Sequence, residues 1–265
     1  MKKTYAIVNF LSVILVLAVN GLSQAQRWND TTIGEQSDQY ENLFTPAGYA
    51  FAIWGLIFLM LIGYSLFQIR RAFFSKKESP FIIQTGWWFA FANILNAAWV
   101  VAFTYEYVGL SVLIMLGILV SLLMVIVRTN MERWDAPIEV IALVWWPICI
   151  YSGWIAVATI ANFSAFFSSL DMKGTELNQI VWTMVMLTVA VLINTLMVWM
   201  RNMREFAAVA IWALIAIFVR HKDGYESIAY YALAGAVVLF FITMVHAFKN
   251  RDTAPHLKLK ERLND

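Results

Sequence analysis

Aromatic and amide side chains stand at helical spacing inside an apolar stretch of this sequence, WWPICIYSGWIAVATIAN (145–162). Trp154, Ala158 and Asn162 occupy positions i, i+4 and i+8, so they share one face of a helix. An indole face stacks on aromatic rings, and an amide hydrogen-bonds to polar atoms. We therefore expect this stripe to contribute to an aromatic and amide pocket.

Groups suited to catalysis or metal binding are sparse. No apolar stretch carries Lys, Arg, Asp or Glu near its middle, which disfavours proton pumps and ion-coupled carriers. The three histidines are scattered near or beyond segment ends, so we predict no metal site. The sequence has no Gly-rich phosphate loop and no nucleophile elbow, so we predict no catalytic residues. The single cysteine, Cys149, excludes an intramolecular disulfide and is predicted to be a small buried apolar residue.

Composition assigns the chain to the membrane proteins. Of 265 residues, 61% are apolar and 14% are charged, and the mean hydropathy is +0.68. Soluble domains carry about 25% charged residues. The net charge of +2 gives no electrostatic reason to expect nucleic acid as a partner. We predict an all-α integral membrane protein whose first partner is the lipid bilayer.

Apolar runs of roughly 20 residues are long enough to cross the hydrocarbon as helices. Eight segments approach this length, and the seventh of them is short and rich in alanine. The predicted spans are 5–24, 47–69, 82–104, 108–128, 138–162, 179–200, 206–220 and 227–248.

Basic residues set the predicted orientation. When the eight spans alternate in direction, fifteen of the nineteen Lys and Arg residues fall on one side. Only Arg27, Lys173, Arg220 and Lys222 fall on the other. The positive-inside rule then places both termini in the cytoplasm, and we expect the bacterial inner membrane.

The longest predicted outer loop covers residues 25–46 and is net acidic. It has one basic residue, Arg27, against four acidic ones: Asp30, Glu35, Asp38 and Glu41.

The first segment has a second interpretation. Lys2 and Lys3, an apolar run and the small-residue pattern SQA before Gln26 also suit a cleaved signal peptide. Cleavage would leave seven helices with the N-terminus outside. Asn9 and Asn20 in the apolar run favour a helix that is retained.

Other polar residues in the spans have structural interpretations. We expect Asn9 and Asn194 to form interhelical hydrogen bonds, which contribute about 1 kcal/mol each. Pro147 is predicted to kink the fifth span and free a backbone carbonyl.

The predicted directions bring aromatic and amide groups of three spans to one depth. Asn162 falls at the outer rim, with Trp154 roughly 12 Å deeper at 1.5 Å per residue. Trp54 in the second span falls at a similar depth, and Asn96 and Trp99 lie within about two turns of the outer surface. We expect these residues to line one pocket, with the acidic loop as its lid.

Three segments together resemble the TspO/MBR family of tryptophan-rich sensory proteins, which are related to the mitochondrial translocator protein. They are TPAGYAFAIWGLIF (45–58), LNAAWVVAF (95–103) and PICIYSGWIAVATIAN (147–162). Residues that match the family motifs are Pro46, Trp54, Asn96, Trp99, Trp154, Ala158, Thr159 and Asn162. Family aromatic residues are replaced at Ala97 and Val157, which leaves the ligand open.

The resemblance implies a five-helix bundle over residues 1–165, often dimeric, with a pocket under its first loop. Residues 166–248 would add three membrane helices, and 249–265 would form a charged cytoplasmic tail. Family members resemble receptors or carriers for porphyrins, so the resemblance implies a porphyrin-like ligand, no covalently bound cofactor and a homodimer. The implied ligand-binding residues are Trp54, Asn96, Trp99, Trp154, Ala158 and Asn162.

Three functions stay open at this point. The first is a membrane receptor or sensor for a flat hydrophobic ligand. The second is a transporter of a small hydrophobic or zwitterionic solute, with which Pro147 and Gly153 are compatible as signs of a broken helix. The third is an enzyme acting on the bound ring, such as light-driven porphyrin breakdown, although no catalytic residue is predicted.

Overall fold

The computed structural model describes four ranges of the chain: 1–40, 42–170, 174–251 and 255–264. Glu41, Lys173 and part of the charged tail, on which predictions were made, lie outside these ranges. The described residues form α-helices and short 3-10 turns without strands. The helices are α1 (Lys2–Gln26), α2 (Ile33–Gln39), α3 (Ile53–Phe73), α4 (Pro80–Thr85), α5 (Trp88–Thr104), α6 (Val108–Arg128), α7 (Ile138–Ser169), α8 (Glu176–Arg201), α9 (Arg204–His221), α10 (Glu226–Lys249) and α11 (Pro255–Asn264).

The predicted all-α membrane fold is confirmed. In the described part of the chain, six helices are long and apolar enough to cross a bilayer: α1, α3, α6, α7, α8 and α10. The other two predicted spans, α5 and α9, have 17 and 18 residues. The connections between these eight helices reverse the direction of the chain, and the longest of them, residues 27–52 between α1 and α3, contains α2. We call the end that carries α2 the lid end, and the end that carries the N-terminus the basic end.

The third predicted span, 82–104, is wrong as one continuous helix. It is divided into α4 and α5 at Gly86, whose φ of 56° ends the helical hydrogen bonding. Glycine adopts this left-handed φ without a Cβ clash, which other residues do only at a cost. The apolar character of the segment continues through the break, so hydropathy alone did not reveal it.

Helix α7 is the centre of the bundle. It packs against α3, α6 and α9, and 72% of its most apolar stretch is buried, against 22% in α8 and 28% in α10. A π-helical turn at Ile141–Trp145 directly precedes Trp146 and Pro147, the region where a kink was predicted. π-helical turns shift the register of a helix and occur often at functional sites.

Helix α1 is fixed to its neighbours by hydrogen bonds between buried amides. Asn9 Nδ2 donates to Gln68 Oε1 of α3 over 2.9 Å, as the predicted interhelical role requires. Asn93 Nδ2 of α5 donates to Ser12 Oγ over 3.0 Å. Asn194 differs from its prediction, because its Nδ2 donates to the carbonyl of Ala190 within α8. Its Oδ1 is buried without a hydrogen-bond partner, so the side chain is only partly satisfied by its own helix.

The three C-terminal helices join the bundle through α9, which packs along α7 and α10. The two helices α7 and α9 approach each other tightly at Gly153. A Cβ added there would meet the Phe206 carbonyl oxygen at 2.9 Å and Val209 Cβ at 3.2 Å. Small residues allow this approach in membrane bundles, where packing drives helix association. The division of the chain at residue 165 stays a prediction.

We predict that Gly153→Ala destabilises the protein by about 1–3 kcal/mol, the usual cost of overpacking a tight contact. The backbone of Phe206 would have to move, because no flexible side chain is available to yield. Gly55→Ala is the matched control, since a Cβ at Gly55 meets nothing within 4 Å. Thermal unfolding in detergent should show a lower midpoint for the first variant only. Equal midpoints for the two variants would contradict this description of the contact.

Candidate functional site

The lid is built from a short helix with well-satisfied ends. Thr32 Oγ1 accepts from the Glu35 backbone N–H, and the Glu35 carboxylate accepts from the Thr32 N–H, which forms a capping box. Both Glu35 oxygens also accept from the Arg27 guanidinium, at 2.9 and 3.0 Å. Arg27 and these hydrogen bonds hold the pKa of Glu35 below its ordinary value. The lid therefore has its own local structure.

The underside of the lid packs on the end of α5. Ile33 and Gln36 of α2 are buried, and Asn29 Nδ2 donates to the Thr104 carbonyl over 2.9 Å. The Tyr40 ring lies 6.2 Å from the Phe103 ring. Burial raises the pKa of the Tyr40 phenol, whose oxygen accepts from Gln36 Nε2. The lid is closed over the bundle in this conformation.

A small cavity lies directly beneath the lid. Its volume is about 40 Å³, and α2, the segment before α3, α5 and α7 form its walls. Four of the predicted site residues line it: Trp99, Trp154, Ala158 and Asn162.

Hydrogen bonds fix the amide in this wall. The Trp99 indole N–H donates to Asn162 Oδ1 over 2.6 Å, and Asn162 Nδ2 donates to Ser111 Oγ over 2.9 Å. The Ser111 hydroxyl also lies 2.7 Å from the Val108 carbonyl of its own helix, to which it donates. Buried polar groups need such partners because no water replaces them. The network links α5, α6 and α7 and fixes the rotamers of Trp99 and Asn162.

Aromatic rings form the rest of the lining. Trp99 is stacked on Phe103, with ring centroids 5.0 Å apart and planes 12° apart. Trp154 meets Phe51 edge to face at 5.9 Å. Both indoles are almost fully buried, with 7% and 2% of their surface exposed. A ring inserted here would meet aromatic faces and one amide, in keeping with the usual preferences of aromatic pairs.

The other two predicted site residues, Trp54 and Asn96, lie outside the wall of this cavity. Trp54 is stacked on Phe58 and meets Tyr151 edge to face at 6.1 Å. Asn96 Oδ1 accepts from Asn20 Nδ2 over 3.1 Å. Asn96 Nδ2 and the Tyr151 hydroxyl lie beside each other, yet both lack a partner with good hydrogen-bond geometry.

The size of the cavity limits what the closed form can hold. A volume of about 40 Å³ suits one or two water molecules, whereas pockets for drug-sized ligands measure roughly 300–1,000 Å³. A flat ring system therefore requires the lid and its neighbouring side chains to move. The lid contacts decide how easily this happens.

A salt bridge attaches the lid to α9. The sequence analysis did not predict this contact. Arg220 Nη1 donates to Asp38 Oδ1 over 2.9 Å and to the Pro46 carbonyl over 3.3 Å. Sequence reasoning counted Arg220 only as one of the few basic residues on the outer side. We call this contact the latch.

Three further hydrogen bonds hold the segment between the lid and α3 against α9. His221 Nε2 lies 3.0 Å from the Leu43 carbonyl, which can only accept, so Nε2 carries the hydrogen. The other two run from the Ala47 N–H to the Ala216 carbonyl and from the Trp212 indole N–H to the Ala50 carbonyl. A helix beyond the predicted five-helix core thus supports the lid.

Comparison with known families gives a match over nearly the whole chain. A family model described as TSPO-like protein matches residues 6–245. This range runs from α1 into α10, so it includes the three helices that the motif resemblance did not cover. No curated protein and no solved structure matches the chain.

We predict that the Trp99–Asn162 hydrogen bond stabilises the bundle by about 0.6 kcal/mol, the average for such bonds in membrane proteins, and by at most about 1.7 kcal/mol. Trp99→Phe should lower the free energy of unfolding. In an Asn162→Ala background the same substitution should have a smaller effect, and the difference between the two effects is the contribution of the hydrogen bond. A double-mutant cycle in detergent measures the difference. Trp182→Phe is the control, because Trp182 is 65% exposed and should give no change. Additive effects of the two substitutions would show that the bond contributes nothing.

Proposed function

The chain belongs to the TSPO-like protein family, and from that premise we propose that it is a receptor- or sensor-type membrane protein for a flat, largely apolar ligand. The observation that carries this proposal is the cavity beneath the lid, in which Trp99, Trp154 and Asn162 meet. Aromatic faces and one fixed amide suit a ring system with a polar edge.

A porphyrin-like tetrapyrrole fits this chemistry. Its ring would stack on the indoles of Trp99 and Trp154, and Ala158 would leave room for it. Asn162 would hydrogen-bond to its polar edge. Trp54 and Asn96 would join the wall as the cavity widens, because the unpartnered Asn96 Nδ2 is then free to donate to the ligand.

The proposed orientation places the lid end outside the cell. Fifteen of the nineteen basic residues belong to the N-terminus, to the turns between α3 and α4, α6 and α7, and α8 and α9 with their flanking helix ends, and to the segment from Lys249 onward. These segments lie at the end opposite the lid. Positive charge at the cytoplasmic side supports a bacterial inner-membrane protein with both termini inside. The proposed homodimer rests on the resemblance to the family.

One observation favours the transporter alternative. A second cavity, of about 430 Å³, lies at the basic end and also borders α7, through Ile141, Trp145 and Trp146. Cavities at both ends of one central helix suit alternating access to a site between them. Uptake of a labelled ligand into sealed proteoliposomes would favour transport, and binding without uptake would favour a receptor.

We predict that protoporphyrin IX binds the purified protein and that Trp99→Ala and Trp154→Ala each weaken binding about tenfold. Loss of one stacking partner of roughly 0.5–1.5 kcal/mol, together with lost buried area, accounts for this factor. The Soret absorbance of the porphyrin measures binding without depending on protein fluorescence. Trp87→Ala is the control, since Trp87 is 47% exposed and lines none of the cavities described. Unchanged affinity in both pocket variants would refute the pocket assignment.

We predict that breaking the latch accelerates ligand binding. Asp38→Asn removes the negative charge that lies 2.9 Å from the Arg220 guanidinium. An exposed ion pair contributes up to about 1 kcal/mol, so its loss should change the rate of opening by up to about fivefold. Stopped-flow measurement with protoporphyrin IX should show faster association and faster dissociation. Asp223→Asn is the control, because its pair with Lys222 lies at the same end without touching the lid. Identical rates in the two variants would mean that the latch does not limit opening.

A further inference from the structure

Three potential metal ligands meet at the basic end of the bundle. Glu132 comes from the turn between α6 and α7, Cys149 from α7, and Glu205 from the first turn of α9. One ligand atom from each lies within 4.8 Å of the other two. These segments are far apart in sequence, so only the packing of α9 against α7 brings the three side chains together.

Each of the two carboxylates has one buried oxygen without a hydrogen-bond partner. Glu132 exposes 8% of its surface, and its Oε1 makes no hydrogen bond; Glu205 Oε2 makes none either. A buried carboxylate normally finds a cation or several donors. The two carboxylates of Glu132 and Glu205 therefore lack a cationic partner.

The nearby arginines do not supply that charge. The Arg201 guanidinium donates to the Ile126 and Met131 carbonyls at the end of α6. Arg204 acts on Glu132 and Glu205 only by longer-range electrostatic attraction. It forms no ion pair with either of them in the described structure. The two carboxylates remain open to a small cation.

The sulfur ligand narrows the class of cation. Cys149 is fully buried, and its Sγ lies 3.9 Å from Met131 Sδ. Mg²⁺ and Ca²⁺ take oxygen ligands, whereas a thiolate selects zinc-like ions. Tetrahedral Zn²⁺ with such bonds requires ligand atoms roughly 3.3–3.8 Å apart. From a separation of at most 4.8 Å, the three groups need to approach each other by up to about 1.5 Å.

The cavity of about 430 Å³ at this end provides access to the cluster. Glu132 and Glu205 lie in its wall, together with Trp145, Trp146 and Trp199. Three protein ligands leave a fourth position of the ion directed to the cavity, as in zinc sites that keep an open coordination position.

We propose that Glu132, Cys149 and Glu205 form a binding site for a divalent ion of the zinc class. On binding, the thiol and any protonated carboxyl of the cluster release their protons to solvent, and the sulfur and carboxylate oxygens each donate an electron pair to the metal; no electron is transferred. The site lies at the opposite end from the lid cavity and does not depend on the proposed function.

Cobalt titration tests the site, because a thiolate bound to Co²⁺ gives a near-ultraviolet charge-transfer band. The full chain in detergent is stripped with a chelator, kept reduced with a phosphine, and titrated with Co²⁺. We expect one ion per chain, the charge-transfer band, and displacement by Zn²⁺. Zn²⁺, but not Mg²⁺, should also raise the unfolding temperature of the wild type, as binding to the native state requires. Absence of both the band and the Zn²⁺ stabilisation would overturn the proposal.

Substitutions then identify the ligands. Glu132→Gln and Glu205→Gln should each weaken Zn²⁺ binding by about 100-fold or more, since loss of a direct ligand exceeds the 10–100-fold typical of outer partners. Cys149→Ser should remove the charge-transfer band. Asp135→Asn is the control, because Asp135 lines the same cavity outside the cluster and should leave binding unchanged. Full Zn²⁺ affinity in both glutamine variants would overturn the proposal. If only one of the two variants folds, full Zn²⁺ affinity in that variant would overturn it.

Discussion

Because α3, α6 and α9 enclose α7, neither lipid nor bulk water can replace the contacts of its side chains. Most polar groups on α7 then bond to their own helix, bond to a neighbour or face a cavity, whereas the Tyr151 hydroxyl lacks a partner. Ser152 and Thr159 bond to carbonyls one turn back in the helix. Asn162 bonds to Trp99 and Ser111, and Cys149 faces the two carboxylates. The two proposed sites use polar groups of α7 that the helix itself does not satisfy.

The sequence predicted the parts of this fold that depend on local pattern. Long apolar runs predicted the helices, and spacing predicted that Trp154, Ala158 and Asn162 share a face, which lines one cavity. Depth along antiparallel spans brought Trp99 to the same place. That these residues bind a ligand stays a prediction. The break at Gly86 escaped because an apolar run continues on both sides of it.

Other features could not be read from local pattern, because they depend on which helices become neighbours. The latch joins residues 182 positions apart in the chain, and the cluster of Glu132, Cys149 and Glu205 requires α9 to pack on α7. Sequence reasoning looked for metal sites among the histidines and treated Cys149 as an apolar residue. A usable signal was present: Glu132 and Glu205 both stand near ends of spans at the basic side, within about one turn of the membrane boundary.

The contacts between α9 and the lid have a thermodynamic consequence for the three C-terminal helices, α8–α10. If opening the lid breaks the Arg220–Asp38 contact, ligand affinity depends on the free energy of that contact. Linkage then requires the reverse: occupancy of the lid cavity must change the stability of the α9 attachment by the same factor. A lipid or protein that binds α8–α10 would thereby adjust ligand affinity without touching the cavity, and the ligand would adjust its binding in return.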